Sequence, residues 1–289
     1  MIISEAKVII EGIDIIESFE LKKYIFEDYV EKVFIKKLDN KSIAATFNIK
    51  SEDKNKNFLI ANEFKEFLIK LFSLFGVCTR IKGELEINTS NDFLAATVEV
   101  RPPMRIVGGN EINLKSHIMK DNMENKQANE QFFNLIESNK NINMLHRFRA
   151  LFSVFDSLAP KKNGGIHINY ELLASRFESI IKQIYVEEYL ERLLDIINEF
   201  IIADLKDTRS NPPKCFSKNI EEEREKLHNG TCINSIIAFN LLKCIQVTRN
   251  KINHGDFNNV SYKVVAASYE LLLPLTQELM KDQYNCTEN

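Results

Sequence analysis

Val30-Glu31-Lys32-Val33-Phe34-Ile35-Lys36-Lys37 and Ser42-Ile43-Ala44-Ala45-Thr46-Phe47-Asn48-Ile49-Lys50 flank the short stretch Leu38-Asp39-Asn40-Lys41. Both runs alternate apolar and polar residues with the period of two that a half-buried strand requires. The stretch between them is a plausible hairpin turn, so the segment predicts a β-hairpin. The hairpin sets the N-terminal part apart, because the chain beyond about residue 130 has helical spacing instead.

Ala6-Lys7-Val8-Ile9-Ile10-Glu11 is a further β-prone run. Phe58 to Phe75 carries Leu59, Phe64, Phe67, Leu68, Leu71, Phe72 and Phe75 at helical spacing, and Gly76 ends it. The aromatic stripe is read as core. Val77 to Ile87 and Phe93 to Val100 predict two more strands around Asn88-Thr89-Ser90-Asn91-Asp92. The order is strand, strand, strand, helix, strand, strand. It predicts an antiparallel sheet with one covering helix across residues 1–106, a sensor or binding domain. Arg101-Pro102-Pro103 interrupts the last strand, since proline cannot donate to a ladder. Gly108-Gly109-Asn110 and a polar stretch follow, which places a linker at 107–129.

From 130 to 283 the spacing predicts helices throughout. The segments are Glu130 to Ser138, Asn143 to Leu158, Tyr170 to Val186, Glu188 to Leu205, Ile220 to Leu227, Asn234 to Asn253 and Ser261 to Lys281. Lys206 to Lys218, with Pro212-Pro213, is read as a loop. The expectation is an α+β chain: an N-terminal antiparallel sheet with a covering helix, then an all-α helical bundle.

The formal net charge is −3, so no global basic field attracts nucleic acid, and an RNA site must be a local patch. No apolar run is long enough to span a bilayer, so no membrane partner is expected. The segment Met1-Ile2-Ile3-Ser4-Glu5 lacks the basic and apolar regions of a signal peptide. Cys78, Cys215, Cys232, Cys244 and Cys286 are scattered, with no Cys-x-x-Cys pair. That spacing argues against zinc and disulfide frameworks and for a reducing, cytoplasmic compartment. No two histidines stand at metal-ligand spacing, so neither a metal nor a cofactor is expected.

The chemistry concentrates in Thr248-Arg249-Asn250-Lys251-Ile252-Asn253-His254-Gly255-Asp256, at the end of an apolar helical segment. Arg249 is a permanent cation with a planar fork of donors, suited to a phosphate or a developing phosphorane. His254 is the base that can work near neutral pH. Asn250 can orient the imidazole or donate to a phosphate oxygen. Such parts suit metal-independent RNA cleavage through attack of a ribose 2′-OH on the adjacent phosphorus. Five residues along a helix is about 500°, so Arg249 and His254 point about 140° apart. Three arrangements reunite them: the long arginine wraps partway round the helix, the helix breaks and Gly255 re-aims the histidine, or two copies of the motif face each other across a dimer. Asn250 and His254, four apart, share a face. A histidine at a helix end is also commonly a cap or a surface residue.

This stretch, with one more long helix after it, resembles the HEPN superfamily, and within it the ApeA-like group. The hallmark is Arg, four to six residues, then His, with a polar residue often directly after the Arg. His146-Arg147-Phe148-Arg149-Ala150-Leu151-Phe152-Ser153-Val154-Phe155-Asp156-Ser157-Leu158 resembles the early helix of such domains. An acidic residue often stands there where Asp156 stands. The resemblance covers about residues 130–283. It implies a HEPN-like bundle that dimerises through the motif helices. It implies ribonuclease activity in host defence against phage, abortive infection or toxin–antitoxin systems. RNA (tRNA among the candidates) would be the substrate, and an antitoxin or a phage-derived trigger a further partner. Arg249 and His254 would be catalytic, with Asn250 assisting. Asp156, Arg147, Lys251 and Asp256 would be supporting or RNA-binding, although the simplest reading of Arg147 is a solvated polar face. The alternative of another class is a non-catalytic module that binds RNA, a nucleotide or a protein.

Overall fold

The computed structural model describes residues 2–11, 15, 18–21, 28–39, 42–74, 86–89, 92–94, 112–114, 126–140, 143–185, 190–208, 212–228, 233–255, 260–284 and 286–288. The chain divides into two compact units, Met1–Lys140 with Met280–Asn289, and Asn141–Leu279. It is α+β, as the sequence predicts: an antiparallel sheet with a helix packed on it comes first, and helices follow. Among the described residues no helix is long and apolar enough to cross a membrane.

In the first unit, β1 (Ile2–Glu11), β2 (Phe19–Glu20), β3 (Val30–Asp39), β4 (Ser42–Ser51), β5 (Glu86–Thr89) and β6 (Asp92–Leu94) form one sheet ordered β2-β3-β4-β1-β5-β6. The β3–β4 hairpin is present, and β1 pairs with β4 along its whole length, from Ile2↔Ser51 to Glu11↔Ser42. β3 departs from simple alternation. Val30, Val33 and Ile35 are all buried, while Phe34 is 43% exposed. An odd step from residue 30 to 33 would turn one of these side chains to solvent in a regular strand. A bulge between Glu31 and Phe34 prevents that, and Lys32 takes it up at φ 53°. Asn88, Thr89 and Asp92, expected in a turn, lie in the β5–β6 hairpin itself. Residues 77–85 and 95–100 lie outside the described residues.

Helix α1 (Lys54–Ser73) packs on β1 and β4. It begins four residues earlier than the apolar stripe suggests, because Asp53 caps it and accepts from the Asn55 N–H at 3.2 Å. Phe64 meets Phe47 edge-on with ring centroids 4.7 Å apart and stacks on Phe67 at 5.6 Å. Buried Asn57 donates to the Ser4 hydroxyl at 2.8 Å and ties helix to sheet. Leu59, counted in the stripe, is 60% exposed. Within the same unit β7 (Ile112–Leu114) pairs with β10 (Cys286–Glu288), and α2 (Lys126–Lys140) packs on α1.

The second unit contains α3 (Met144–Leu158), α4 (Tyr170–Ile184), α5 (Leu190–Ile202), α6 (Phe216–His228) and α7 (Ser235–Asn253). It also holds most of α8 (Tyr262–Gln283), which runs on through Pro274. Asn143, Asn169 and Asn234 cap α3, α4 and α7, each accepting a backbone N–H of the first turn. In α7, Ile237, Ala238, Leu241, Leu242, Cys244 and Ile245 are buried as α4 and α6 pack against it. Residues 206–218 are more than the expected loop. Asp204 turns the chain at φ 47°, and β8 (Lys206–Asp207) then pairs antiparallel with β9 (Lys214–Cys215). This ribbon lies against α7.

Candidate functional site

The last turns of α7 carry two distinct faces. Val247, Asn250, Lys251 and His254 stand at positions i, i+3, i+4 and i+7, a single helical stripe. They line one wall of a pocket of about 280 Å³. Lys206, Asp207 and Thr208 of the ribbon line the other. Val247 is buried, Asn250 and Lys251 are half-buried, and His254 is exposed.

Arg249 is one position off that stripe and takes another course. Its guanidinium lies over the Phe152 ring of α3, 5.3 Å from the centroid. It also donates to Asn250 Oδ1 at 3.2 Å. Phe152 is held in turn by edge-on contacts with Phe148 and Phe155. Arg149, three residues before Phe152 on α3, donates to the Ile252 carbonyl at 3.3 Å. That carbonyl belongs to the last turn of α7, where helical partners run out and a cation is electrostatically favoured.

The helix does not break ahead of the histidine. The His254 N–H still reaches the Asn250 carbonyl at 3.0 Å, and its backbone sits at φ −90°, ψ 2°. The chain leaves the helix only at Gly255, with φ +70°. A positive φ there costs glycine little and any other residue more. Of the arrangements that reunite Arg249 with His254, re-aiming by a broken helix end is therefore not the one this chain adopts. Arg249 reaches the stripe only as far as Asn250.

The supporting residues scatter. Asp156 accepts Lys161 Nζ at 2.7 Å on its carboxylate, closing the end of α3. Arg147 lies over the Tyr269 ring at 4.5 Å and donates to its hydroxyl at 3.2 Å. Neither lines the pocket. Lys251 does. Asp256 lies outside the described residues, as does His117, while His146 and His167 are exposed. Among the described residues no three His, Cys, Asp or Glu side chains gather as a metal site would require.

The ribbon half of the pocket has its own electrostatics. Asp204 forms an ion pair with Lys206. The hydrogen bond from Lys206 holds the Asp204 carboxyl below its usual range, and the same bond raises the Lys206 ammonium. Cys215 Sγ also donates to Asp204 Oδ1, at 3.3 Å. Lys206 thus stays a cation at the rim of the pocket. Cys244, buried in α7, has its thiol pushed well up by burial and is held inert. Lys206, Asp207 and Thr208 carry no motif. Their one advance signal is that a polar run begins at Lys206, after the apolar segment that ends at Leu205.

The chain matches no family model, no curated protein and no solved structure. The resemblance to HEPN domains accordingly rests on the residues that carry it.

Proposed function

We propose that the chain is a metal-independent endoribonuclease of a host-defence or toxin–antitoxin type, active as a homodimer joined through the ends of its α7 helices. The observation that carries this reading is the pocket where His254, Asn250 and Lys251 converge on one stripe. It offers an accessible imidazole, an amide and a lysine within one small space. His254 takes the proton from a ribose 2′-OH. The freed oxygen attacks the adjacent phosphorus, and the 5′ oxygen leaves with a proton. The products are a 2′,3′-cyclic phosphate and a 5′-hydroxyl end. Lysine and amide donors stabilise the charge that builds on the phosphorane. Arg249 of the second copy supplies the planar cation that the same chain's Arg249 does not bring to its own pocket. DNA, without the 2′-OH, survives.

The test is incubation with tRNA or total RNA in EDTA, followed by end-group analysis. Cyclic-phosphate ends are expected; intact RNA at micromolar protein would sink the reading. A second reading is a module that binds a phosphate-bearing ligand without cutting it. The resting of Arg249 on Phe152, off the His254 stripe, is what favours it. Binding of RNA without any cleavage would select it.

A further inference from the structure

The motif explains the α7 side of the pocket and leaves the ribbon side unassigned. Lys206, Asp207 and Thr208 are three consecutive residues, all lining it. A lysine ammonium there is a point cation, and a threonine hydroxyl donates to a phosphate oxygen. Asp204, which pairs with Lys206, is not part of the lining and fixes where the ammonium stands. The lining holds two lysines, Lys206 and Lys251, and one aspartate, Asp207. The volume, about 280 Å³, lies near the lower end of small-ligand pockets, which begin at roughly 300 Å³. It suits one nucleotide unit of an extended strand rather than a duplex.

We propose that the β8–β9 ribbon is the substrate-phosphate wall of this pocket. Lys206 and Thr208 grip a phosphodiester of single-stranded RNA opposite Asn250, Lys251 and His254. Asp207 accepts a hydrogen bond from the base of the same nucleotide. This assignment rests on the ribonuclease reading for its choice of substrate.

The experiment measures binding of a 2′-O-methyl tetraribonucleotide, which has no free 2′-OH and cannot be cut. Fluorescence anisotropy follows it across a salt series, with thermal melts as the folding control. Lys206→Met is expected to weaken binding about tenfold or more, the loss typical of a hydrogen bond to a charged group. It should also flatten the salt dependence by about one phosphate contact. Lys206→Arg should restore both. Thr208→Val should cost a few-fold, about what one neutral donor contributes. Unchanged affinity and salt slope in Lys206→Met would overturn the proposal. Lys206-dependent binding by a protein that cleaves no RNA would leave the wall standing and remove the ribonuclease. Cleavage by Lys206→Met with undiminished KM would do the reverse.

Discussion

On one side of the last turns of α7, Arg249 lies on Phe152 and Arg149 holds the Ile252 carbonyl. On the other, Val247, Asn250, Lys251 and His254 face the ribbon across an open pocket. The first side is packed: an aromatic cluster carries one arginine, and a second arginine ties α3 to the helix end. The second side is polar and reachable by a ligand. A string of nine residues that reads as one motif is therefore divided by the helix into a buttress and a site. Asn250 is the hinge between them, accepting from Arg249 while lining the pocket.

The largest effects are expected on the pocket side. His254→Ala should lower RNA cleavage by a factor on the order of 10² to 10⁴, the span of general acid–base catalysis, and leave the melting temperature unchanged. Wild-type cleavage rates in that variant would remove the site. Arg249→Ala should lower cleavage by a factor on the order of 10² to 10³, as for loss of one charge-stabilising group. If only stability falls and cleavage persists, Arg249 belongs wholly to the buttress. Phe152→Ala addresses the buttress directly. This residue is 5% exposed, and its truncation should cost about 3 to 5 kcal/mol in chemical denaturation. A cost below about 1 kcal/mol would mean that the aromatic cluster does not hold the helix end. Smallest is Arg149→Ala, which removes the bond to the Ile252 carbonyl. It should cost about 1 kcal/mol in the same assay, with cleavage by the folded fraction unaltered.

The backbone plan could be read from residues because local chemistry set it. Alternation gave the β3–β4 hairpin and apolar spacing gave α3, α4 and α7, whereas the asparagine caps at 143, 169 and 234 were recognised only in the structure. The bulge at Lys32 could not be read, because Val30 and Val33 are both apolar and either could have faced outward. Only packing on the sheet decides between them. The same holds for the site. The sharing of one stripe by Asn250 and His254, and the divergence of Arg249, follow from helical spacing. The contacts of Arg249 with Phe152 and of Lys206 with the pocket join segments far apart in sequence, which no period encodes. The ribbon in particular depends on a positive-φ turn at Asp204, a residue type only moderately suited to that conformation.

In the proposed dimer, Arg249 and His254 serve one scissile phosphate from two copies of the chain. Mixing Arg249→Ala with His254→Ala, each inactive alone, tests it most directly. In a mixed dimer one of the two sites then receives an intact Arg249 from one chain and an intact His254 from the other. Random pairing makes half the dimers mixed, so about a quarter of wild-type cleavage should return. No recovery after verified subunit exchange would place the action of Arg249 within its own chain, through Asn250.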